Sequence, residues 1–409
     1  MAGEWRELTW GDLATLEYGR ALRGYAESKG RFRVFGTNGP VGWYDEALCC
    51  HPSVIIGRKG AYRGVHYSPA PFFVIDTAFY LEPKSEIDAR WAYYELLTQD
   101  INGMDSGSAI PSTSREAFYN LPVLVPPPAE QRAIAHILGT LDDKIELNRR
   151  MSETLEEMAR ALFKSWFVDF APVRAKAEGR NPGLPKPLAD LFPARLVDSE
   201  LGEIPEGWEV GKLGDVVEHL RDSENPLDSP DAVFRHFSIP AFDDGQWPTL
   251  EHGASIKSLK FRVPLRVVLL SKLNPEIERV WLVDIQPGDR AVCSTEFLVL
   301  APRSRYGRTY AYCGMRSPIF RQDIEGLVTG TSKSHQRAQP SAILGMAIVM
   351  PTAAINAAFE RLACPLADRL LECRRESRTL AALRDALLPK LISGKLRVRD
   401  AEKFIARAV

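Results

Sequence analysis

The fold is decided by residues 134–145, which read Ile-Ala-His-Ile-Leu-Gly-Thr-Leu-Asp-Asp-Lys-Ile. The apolar side chains of Ile134, Leu138, Leu141 and Ile145 alternate four and three positions apart. This alternation is typical of the seam of a coiled coil, because it keeps apolar residues on one stripe of a helix. The sequence therefore predicts a long helix that packs along its length on a second helix.

The seam continues beyond Asn148 and Ser152, which interrupt it, and predicts a central helix over residues 129–171. A second stretch with the same period follows residue 352, and Pro365 inside it predicts a kink or a late first turn. The seam residues predicted to pair the helices are Leu138, Leu141, Ile145, Leu155, Leu162, Trp166, Leu362, Leu366, Leu380 and Leu387. About 40 residues make a rod of roughly 60 Å at 1.5 Å per residue.

Outside the helices the chain repeats itself, since three strings recur in the same order. The recurring pairs are Trp5-Arg-Glu-Leu-Thr-Trp-Gly-Asp-Leu and Trp208-Glu-Val-Gly-Lys-Leu-Gly-Asp-Val, residues 75–81 and 293–299, and residues 120–126 and 345–351. The second pair of strings runs to Pro83 and Pro302, and a long helical segment follows the prolines that end the third pair, Pro126 and Pro351. Three ordered matches indicate an internal duplication.

The predicted fold is α+β, with two duplicated globular α/β domains separated by two long antiparallel helices in a coiled-coil-like, pseudo-two-fold arrangement. The helices are antiparallel because the chain must return along the first helix after the second domain. The predicted boundaries are 1–128 for the first domain, 129–171 for the central helix, 172–207 for a Pro/Gly-rich connector, 208–351 for the second domain, and 352–409 for the distal helix and C-terminal tail.

The bulk chemistry excludes several classes of protein. The 409 residues are 45% apolar and 26% charged, which is typical of globular domains. The charged N-terminus predicts no signal peptide, and prolines interrupt the uncharged run 338–359, so no membrane span is expected. Six scattered cysteines favour a reducing cytoplasm. A formal net charge of −1 argues against a general polyanion binder.

Signatures of catalysis are missing from the sequence. It contains no phosphate-binding loop, dinucleotide-binding loop or hydrolase elbow, and no Asn-Pro-Pro-aromatic string of amino-methyltransferases. No Cys-x-x-Cys pair or histidine pattern predicts a metal site, and no catalytic residue is assigned. Asp76, Glu82 and Lys84 have the residue types of a metal-dependent nuclease, which stays an alternative, although Pro83 disfavours the necessary strand pairing.

Local basic clusters predict contact with nucleic acid despite the neutral total. They are the glycine-punctuated loop 57–64, the carboxylate-free run 301–322, and the hydroxyl-rich strings 106–115 and 329–337. Arg, Lys and Gln side chains read base edges or bind phosphate, and Ser and Thr hydroxyls bind phosphate. The candidate DNA contacts in these segments are Arg58, Lys59, Arg63, Ser108, Ser112, Thr113, Arg303, Arg305, Arg308, Lys333, His335, Gln336 and Arg337.

Several strings resemble those of Type I restriction-modification specificity subunits. The resemblance rests on residues 127–135, 141–148 and 163–170, on Leu-Gly-Glu-Ile-Pro-Glu-Gly-Trp at 201–208, and on Leu-Arg-Asp-Ala-Leu-Leu-Pro-Lys-Leu-Ile-Ser-Gly at 383–394. In the first domain, Gly-Thr-Asn-Gly-Pro-Val-Gly at 36–42 resembles strings of the family's target recognition domains and adds Asn38 to the candidate contacts.

The resemblance implies a non-catalytic subunit in which each domain reads one half of a split, asymmetric site in double-stranded DNA. The helices would set the unread spacer, and the seam would also carry the interface with two modification subunits. S-adenosylmethionine would be bound by those partners, and ATP and Mg would serve the restriction subunits; no cofactor is expected in this chain.

A third alternative is a scaffold whose rod joins two protein-binding domains. It predicts no salt-dependent affinity for DNA, whereas a DNA-reading subunit predicts a steep salt dependence.

Overall fold

The computed structural model describes residues 4–104, 111–329 and 336–401. Its contacts divide the chain into unit 1, comprising Met1–Asn148 and Arg375–Val409, and unit 2, comprising Arg149–Arg374. Each unit takes one globular domain and one half of each long helix. The structure is 39% helical and 26% strand, which confirms the predicted α+β class.

Unit 1 places a four-stranded antiparallel sheet, ordered β2-β8-β5-β6, beside a three-stranded sheet, ordered β4-β3-β7. The elements up to the first long helix are β1 (Arg6–Thr9), α1 (Trp10–Leu13), β2 (Ala14–Tyr18), β3 (Phe32–Gly36), β4 (Gly39–Tyr44), β5 (Ser53–Gly57), β6 (Val65–Ser68), β7 (Phe72–Val74), β8 (Ala78–Pro83), α2 (Ala89–Leu96), α3 (Arg115–Tyr119), β9 (Pro122–Val125) and α4 (Pro128–Phe167). Strand β5 is buried throughout, as its sequence Ser-Val-Ile-Ile-Gly favours for a central strand.

Unit 2 contains a four-stranded sheet, ordered β13-β21-β18-β19, and a five-stranded sheet, ordered β14-β17-β20-β15-β16. Its elements are α5 (Ala171–Ala177), α6 (Lys186–Ala189), β10 (Leu196–Ser199), β11 (Gly202–Pro205), β12 (Glu209–Lys212), α7 (Leu213–Val216), β13 (Val217–Leu220), β14 (Ser223–Glu224), β15 (Val233–Phe237), α8 (Ile239–Asp243), β16 (Thr249–His252), β17 (Lys260–Arg262), β18 (Val268–Ser271), β19 (Val280–Leu282), β20 (Ala291–Cys293), β21 (Phe297–Pro302), α9 (Arg308–Met315), α10 (Pro318–Glu325), β22 (Val328–Thr329), β23 (Arg337–Ala338), α11 (Pro340–Leu344), β24 (Ala347–Met350) and α12 (Ala353–Ile392). Short 3-10 helices lie at Pro226–Asp228 and Gly253–Ser255.

The backbone confirms the duplication, with the strings at 75–81 and 293–299 displaced by one residue, since Pro83 lies opposite Ala14 as Pro302 lies opposite Val217. Strand β1 pairs with β9 with Arg6 opposite Val125, and β12 pairs with β24 with Glu209 opposite Met350. The repeated Gly-Asp string proves to be a capping motif. Its aspartate accepts the backbone N–H of the residue three positions before it, Thr9 for Asp12 (2.9 Å) and Lys212 for Asp215 (2.8 Å).

The long helices run antiparallel within each unit. In unit 1, Asp142 of α4 pairs with Arg384 of α12 at 2.7 Å, whereas the later residue Asn148 donates to the earlier residue Glu376 at 2.9 Å. The buried seam here includes Leu138, Leu141, Leu380 and Leu387, with Ile145 partly buried beside it. The two helices thus pack along this seam in unit 1.

In unit 2, the aromatic rings of Trp166 and Phe359 pack with their centroids 6.1 Å apart. The predicted residues Leu155, Leu162 and Leu366 are partly buried beside the same core cluster.

The prediction for Leu362 as a pairing residue is wrong. Its side chain is 46% exposed, because the buried stripe of α12 passes through Phe359, Ala363 and Ala367 instead. The helix also continues through Pro365, so this proline does not end it.

The segment predicted as a connector folds onto the unit 2 core. It forms the short helices α5 and α6 and the hairpin β10–β11. Val173, Phe192 and Ile204 from this segment are buried in the same cluster as Trp166. Among the described residues, no helix is both long enough and apolar enough to cross a membrane.

A buried carboxyl lies in the core of unit 1. The Glu95 side chain accepts hydrogen bonds from Trp10 Nε1 (2.8 Å) and Gln99 Nε2 (2.6 Å). Burial raises the pKa of Glu95 to about 7, although both hydrogen bonds act to lower it. The folded state therefore binds a proton more tightly than the unfolded chain, whose glutamate titrates near 4.5.

This carboxyl should make unit 1 lose stability as the pH rises from about 4.5 to about 7, with no further loss above that range. Glu95→Gln removes the charge and keeps an acceptor for Trp10, so it should flatten this dependence and raise the free energy of unfolding at pH 8 by roughly 1–3 kcal/mol. Chemical unfolding of both proteins between pH 5 and pH 8 measures it. The exposed Glu27→Gln variant is the control, and equal pH profiles for Glu95→Gln and wild type would contradict the prediction.

Candidate nucleic-acid interface

Four segments that are distant in sequence meet at one edge of unit 1. The edge comprises residues 37–38, 58–63, 76–77 and 111–113, and is called edge 1 below. The Thr37 hydroxyl donates to the carbonyl oxygens of Lys59 (2.9 Å) and Thr77 (2.7 Å). The Gly60 N–H donates to Pro111 O at 3.0 Å. These bonds hold the basic loop in one conformation against the ends of the strands.

Cations gather at edge 1 around an exposed ring. The Arg58 guanidinium lies 4.9 Å from the centroid of the Tyr18 ring, and the Arg115 guanidinium lies 5.1 Å from it. Arg58 also donates to Asp76 O at 2.9 Å, while Lys59 is exposed. Within the described part of the chain, neither Arg58 nor Lys59 forms an ion pair, so both charges are available to an anion.

Tyr18 and Arg115 were not among the candidates drawn from the sequence. Arg115 closes the hydroxyl-rich string 106–115, a signal that could have identified it. Tyr18 carries no such signal, because only the pairing of β2 with β8 brings its ring to Arg58.

Asn38 is exposed at the turn between β3 and β4. In the orientation that satisfies its neighbours, its amide nitrogen donates to Tyr62 O at 2.8 Å. The Tyr62 side chain itself is 79% exposed. Asn38 therefore links the turn to the basic loop and helps to present Tyr62 to solvent.

Two candidates at edge 1 lie inside the fold. Arg63 is only 3% exposed and donates to the carbonyl oxygens of Gly60 and Asn102. Thr113 is 5% exposed, and its hydroxyl donates to Gly57 O at 2.8 Å. Neither side chain is available to DNA, so the prediction is corrected for both: they fix the loop. Ser112 faces Lys59 across an isolated bridge, and Ser108 lies outside the described residues.

The arginine-rich run 301–322 of unit 2 is mainly a packing element. Tyr310 and Tyr312 on α9 are buried in the core. Arg308 pairs with Asp368 of α12 at 2.8 Å and donates to Val283 O at 3.2 Å, with 11% of its side chain exposed. Arg308 is therefore corrected from a DNA contact to a residue that holds α9 on the helix.

The same ion pair occurs in unit 1. Arg90 of α2 pairs with Asp143 of α4 at 2.6 Å, and its guanidinium also donates to Gly139 O. Hydrogen bonds from Arg90 lower the pKa of the Asp143 carboxyl. Each domain is thus held on its following helix by an arginine–aspartate pair.

The remaining unit 2 candidates have different surroundings. Arg303 is exposed, and its Nε donates to Gly214 O at 2.9 Å. Arg305 is exposed, with its guanidinium 5.9 Å from the centroid of the Tyr306 ring. Arg337 pairs with Glu296 at 2.8 Å, and Gln336 O accepts the N–H of Asn274. Lys333 and His335 lie outside the described residues.

Comparisons with known proteins agree with this arrangement. A family model described as the Type I restriction modification DNA specificity domain matches residues 3–157. The Type I restriction enzyme MjaIX specificity subunit of Methanocaldococcus jannaschii is 26% identical over 334 residues, 78% of this chain and 71% of that protein. The HindI specificity subunit of Haemophilus influenzae is 24% identical, covering 74% of each chain. The chain is thus similar to Type I restriction-modification specificity subunits over about three quarters of its length.

A solved relative shows the same fold. The crystal structure of the Type I restriction-modification S subunit from M. genitalium has a TM-score of 0.64 at 15% identity, covering 95% of this chain and 96% of that one. Specificity subunits are DNA-recognition components and not catalysts.

The nuclease alternative finds no support in the described structure. Glu82 contacts His51 at 3.1 Å, and Lys84 Nζ donates to Gly11 O at 2.6 Å. Asp76 precedes β8, and Glu82 lies near the other end of that strand, about 13 Å beyond its first residue Ala78 at ~3.3 Å per residue. In the described ranges, no group of three or more His, Cys, Asp or Glu residues could hold a metal ion.

Proposed function

We propose that this chain reads a bipartite, asymmetric sequence in double-stranded DNA, one half with each globular domain. The observation that carries the proposal is the convergence of Arg58 and Arg115 on the Tyr18 ring, with the exposed Lys59 next to Arg58 in the basic loop of edge 1. Cations without acidic partners supply the attraction for phosphates that positions a protein on a duplex. Exposed side chains on the same loops, Asn38 and Tyr62, are then placed to meet base edges or sugars.

The two domains differ where their strands end, which supports recognition of two different half-sites. Strand β3 lies parallel to β7, as β15 lies parallel to β20, so these strands are equivalent in the repeat. Unit 1 leaves β3 by the tight turn 37–38, whereas unit 2 leaves β15 by helix α8. A turn and a helix present different groups to a groove.

The long helices and the partners complete the proposal. The helices would set the length of the unread spacer and would dock two modification subunits, partly through exposed residues such as Leu362. The modification subunits would bind S-adenosylmethionine and methylate the site, and restriction subunits would use ATP and Mg. The complex would act in the cytoplasm, where its DNA is found.

Exchange of the first domain tests this proposal. The full chain is co-expressed with its modification subunits, and the methylated motif is mapped across a genome. Replacing residues 1–128 by the corresponding domain of a relative should change one half of the motif and preserve the other half and the spacer. An unchanged motif would refute the assignment of half-site reading to this domain.

The scaffold alternative makes the opposite prediction for binding. For the assembled complex, we expect the logarithm of the DNA affinity to fall steeply with the logarithm of the salt concentration, by about 0.9 per phosphate contact. A scaffold would show no such slope.

A further inference from the structure

The duplication identifies where the counterpart of edge 1 lies in unit 2. At edge 1, Arg58 N donates to Thr77 O (2.8 Å) and Arg58 O accepts from Thr113 N (2.9 Å). In unit 2, Lys272 N donates to Glu296 O (2.9 Å) and Lys272 O accepts from Ala338 N (3.0 Å). Lys272 therefore occupies the backbone position of Arg58.

The residues that follow repeat the same geometry. Gly60 N donates to Pro111 O at 3.0 Å, and Asn274 N donates to Gln336 O at 2.8 Å. Both Gly60 (φ +118°) and Asn274 (φ +47°) have left-handed backbones, a conformation that glycine and asparagine tolerate best. The loop after β18 is thus the equivalent of the basic loop after β5.

The neighbouring strand supplies a further cation. Ala14 of β2 pairs with Pro83, and Val217 of β13 pairs with Pro302, so Arg221 follows β13 at the position that Tyr18 has in β2. Arg221 is exposed, and its Nε donates to His219 Nδ1 at 3.3 Å. Unit 2 therefore has an arginine, Arg221, at the position of Tyr18, the residue whose ring lies against the Arg58 guanidinium in unit 1.

Burial is the largest cause that lowers the pKa of the His219 imidazole, and the charges of Arg221 and Lys272 both lower it further. In the ranges that the structure describes, neither Lys272 nor Arg221 forms an ion pair. Strands β13 and β18 flank β21, with Leu220 opposite Val299 and Ser271 opposite Phe297, so the two cations follow strands that end on either side of the same end of β21.

The run 301–322 does not correspond to edge 1 in the repeat. Arg303 N donates to Val216 O as Lys84 N donates to Leu13 O, and the side chain of each donates to the glycine carbonyl of the repeated Gly-Asp string. Arg303 is therefore the counterpart of Lys84, which lies at the far end of β8 from edge 1.

We propose that Arg221 and Lys272 form the phosphate-binding site of the second domain, with His219 as the residue that positions Arg221, and that the run 301–322 does not. The ligand is the backbone of duplex DNA at the second half-site. This inference rests on the proposed function.

The test uses the full chain assembled with its modification subunits and a labelled duplex that carries the mapped site. Arg221→Ala/Lys272→Ala should lower the slope of log affinity against log salt by about two, at 0.9 per contact. It should weaken binding equally when the bases of the second half-site are scrambled, because phosphate contacts carry no sequence information. The matched control, Arg303→Ala/Arg305→Ala, removes the same charge from the run 301–322 and should leave the slope unchanged.

The possible outcomes distinguish failure of this inference from failure of the proposed function. If the wild-type complex binds with a steep salt slope and Arg221→Ala/Lys272→Ala matches it, this inference is refuted and half-site reading stands. The inference is likewise refuted if only the control loses slope. If wild type shows no salt dependence, the proposed function itself fails. Thermal unfolding of each variant distinguishes lost binding from lost folding.

Discussion

Replacing Glu156 by alanine should destabilise unit 2 by about 3–5 kcal/mol, the range for a buried ion pair that loses one partner. Glu156 forms an ion pair with Arg316, lies 3.6 Å from Arg374 and accepts the hydroxyl of Tyr312 at 2.5 Å. Burial and the charges of neighbouring arginines lower the pKa of Arg316 to about 10. Without Glu156, the guanidiniums of Arg316 and Arg374, which are 14% and 21% exposed, would repel each other, and among the described residues Glu278 alone would still pair with Arg316.

Calorimetric or denaturant unfolding measures this loss, and Glu153→Ala is the matched control. Glu153 is one turn earlier on the same helix, and its ion pair with Arg149 is exposed, so its removal should change stability by less than ~1 kcal/mol. Glu156→Gln should give an intermediate loss because it keeps the acceptor oxygen without the charge. Equal stability of Glu156→Ala and Glu153→Ala would contradict the burial of this cluster.

The features that could be predicted from the sequence are those that depend only on the spacing of residues close together in the chain. The seam Leu138–Leu141–Ile145 has a helical period that depends on no distant residue, and both helices are found where that period occurs. The duplicated Gly-Asp strings could be matched because Asp12 and Asp215 bond to backbone only three residues away. Local patterns of this kind fix the fold class and the repeat.

The features that could not be predicted depend on partners far along the chain. No carboxylate lies within the run 301–322, yet Arg308 and Arg316 find acids on α12 and α4. In the sequence, Arg63 cannot be distinguished from the other cations of its loop, but in the structure its guanidinium donates to the carbonyl oxygen of Asn102, which belongs to a separate loop. Leu362 fits the apolar period, but the small side chain of Ala363 lies in the buried stripe instead.

The near-zero net charge has the same explanation. Many arginines are neutralised by acids within a unit, as Arg90 is by Asp143 and Arg279 is by Asp243. Such pairs contribute to the count of charges but not to the field that DNA would meet. The cations that matter for the proposed function are those that form no ion pair among the described residues, such as Arg58 and Lys59, and a sum over the chain hides them.

Removing both of those cations is expected to weaken DNA binding strongly. For Arg58→Ala/Lys59→Ala we expect affinity on the order of 100-fold lower, since each lost charge-assisted contact costs about 1.5 kcal/mol. The slope of log affinity against log salt should fall by about two. Both effects should appear for every duplex sequence. Methylation of the mapped site should fall in parallel when the DNA concentration is limiting.

The matched control is Lys29→Ala/Arg31→Ala, which removes the same charge from the same domain. Both residues are exposed and precede β3, whereas Asn38 and edge 1 follow it, so the control cations lie at the opposite end of that strand. If net charge alone governed attraction, the two double variants would lose equal affinity. We expect only Arg58→Ala/Lys59→Ala to lose the two contacts, because position at edge 1, and not charge, determines which cations reach phosphate. Equal losses in the two variants would exclude edge 1 as the binding surface.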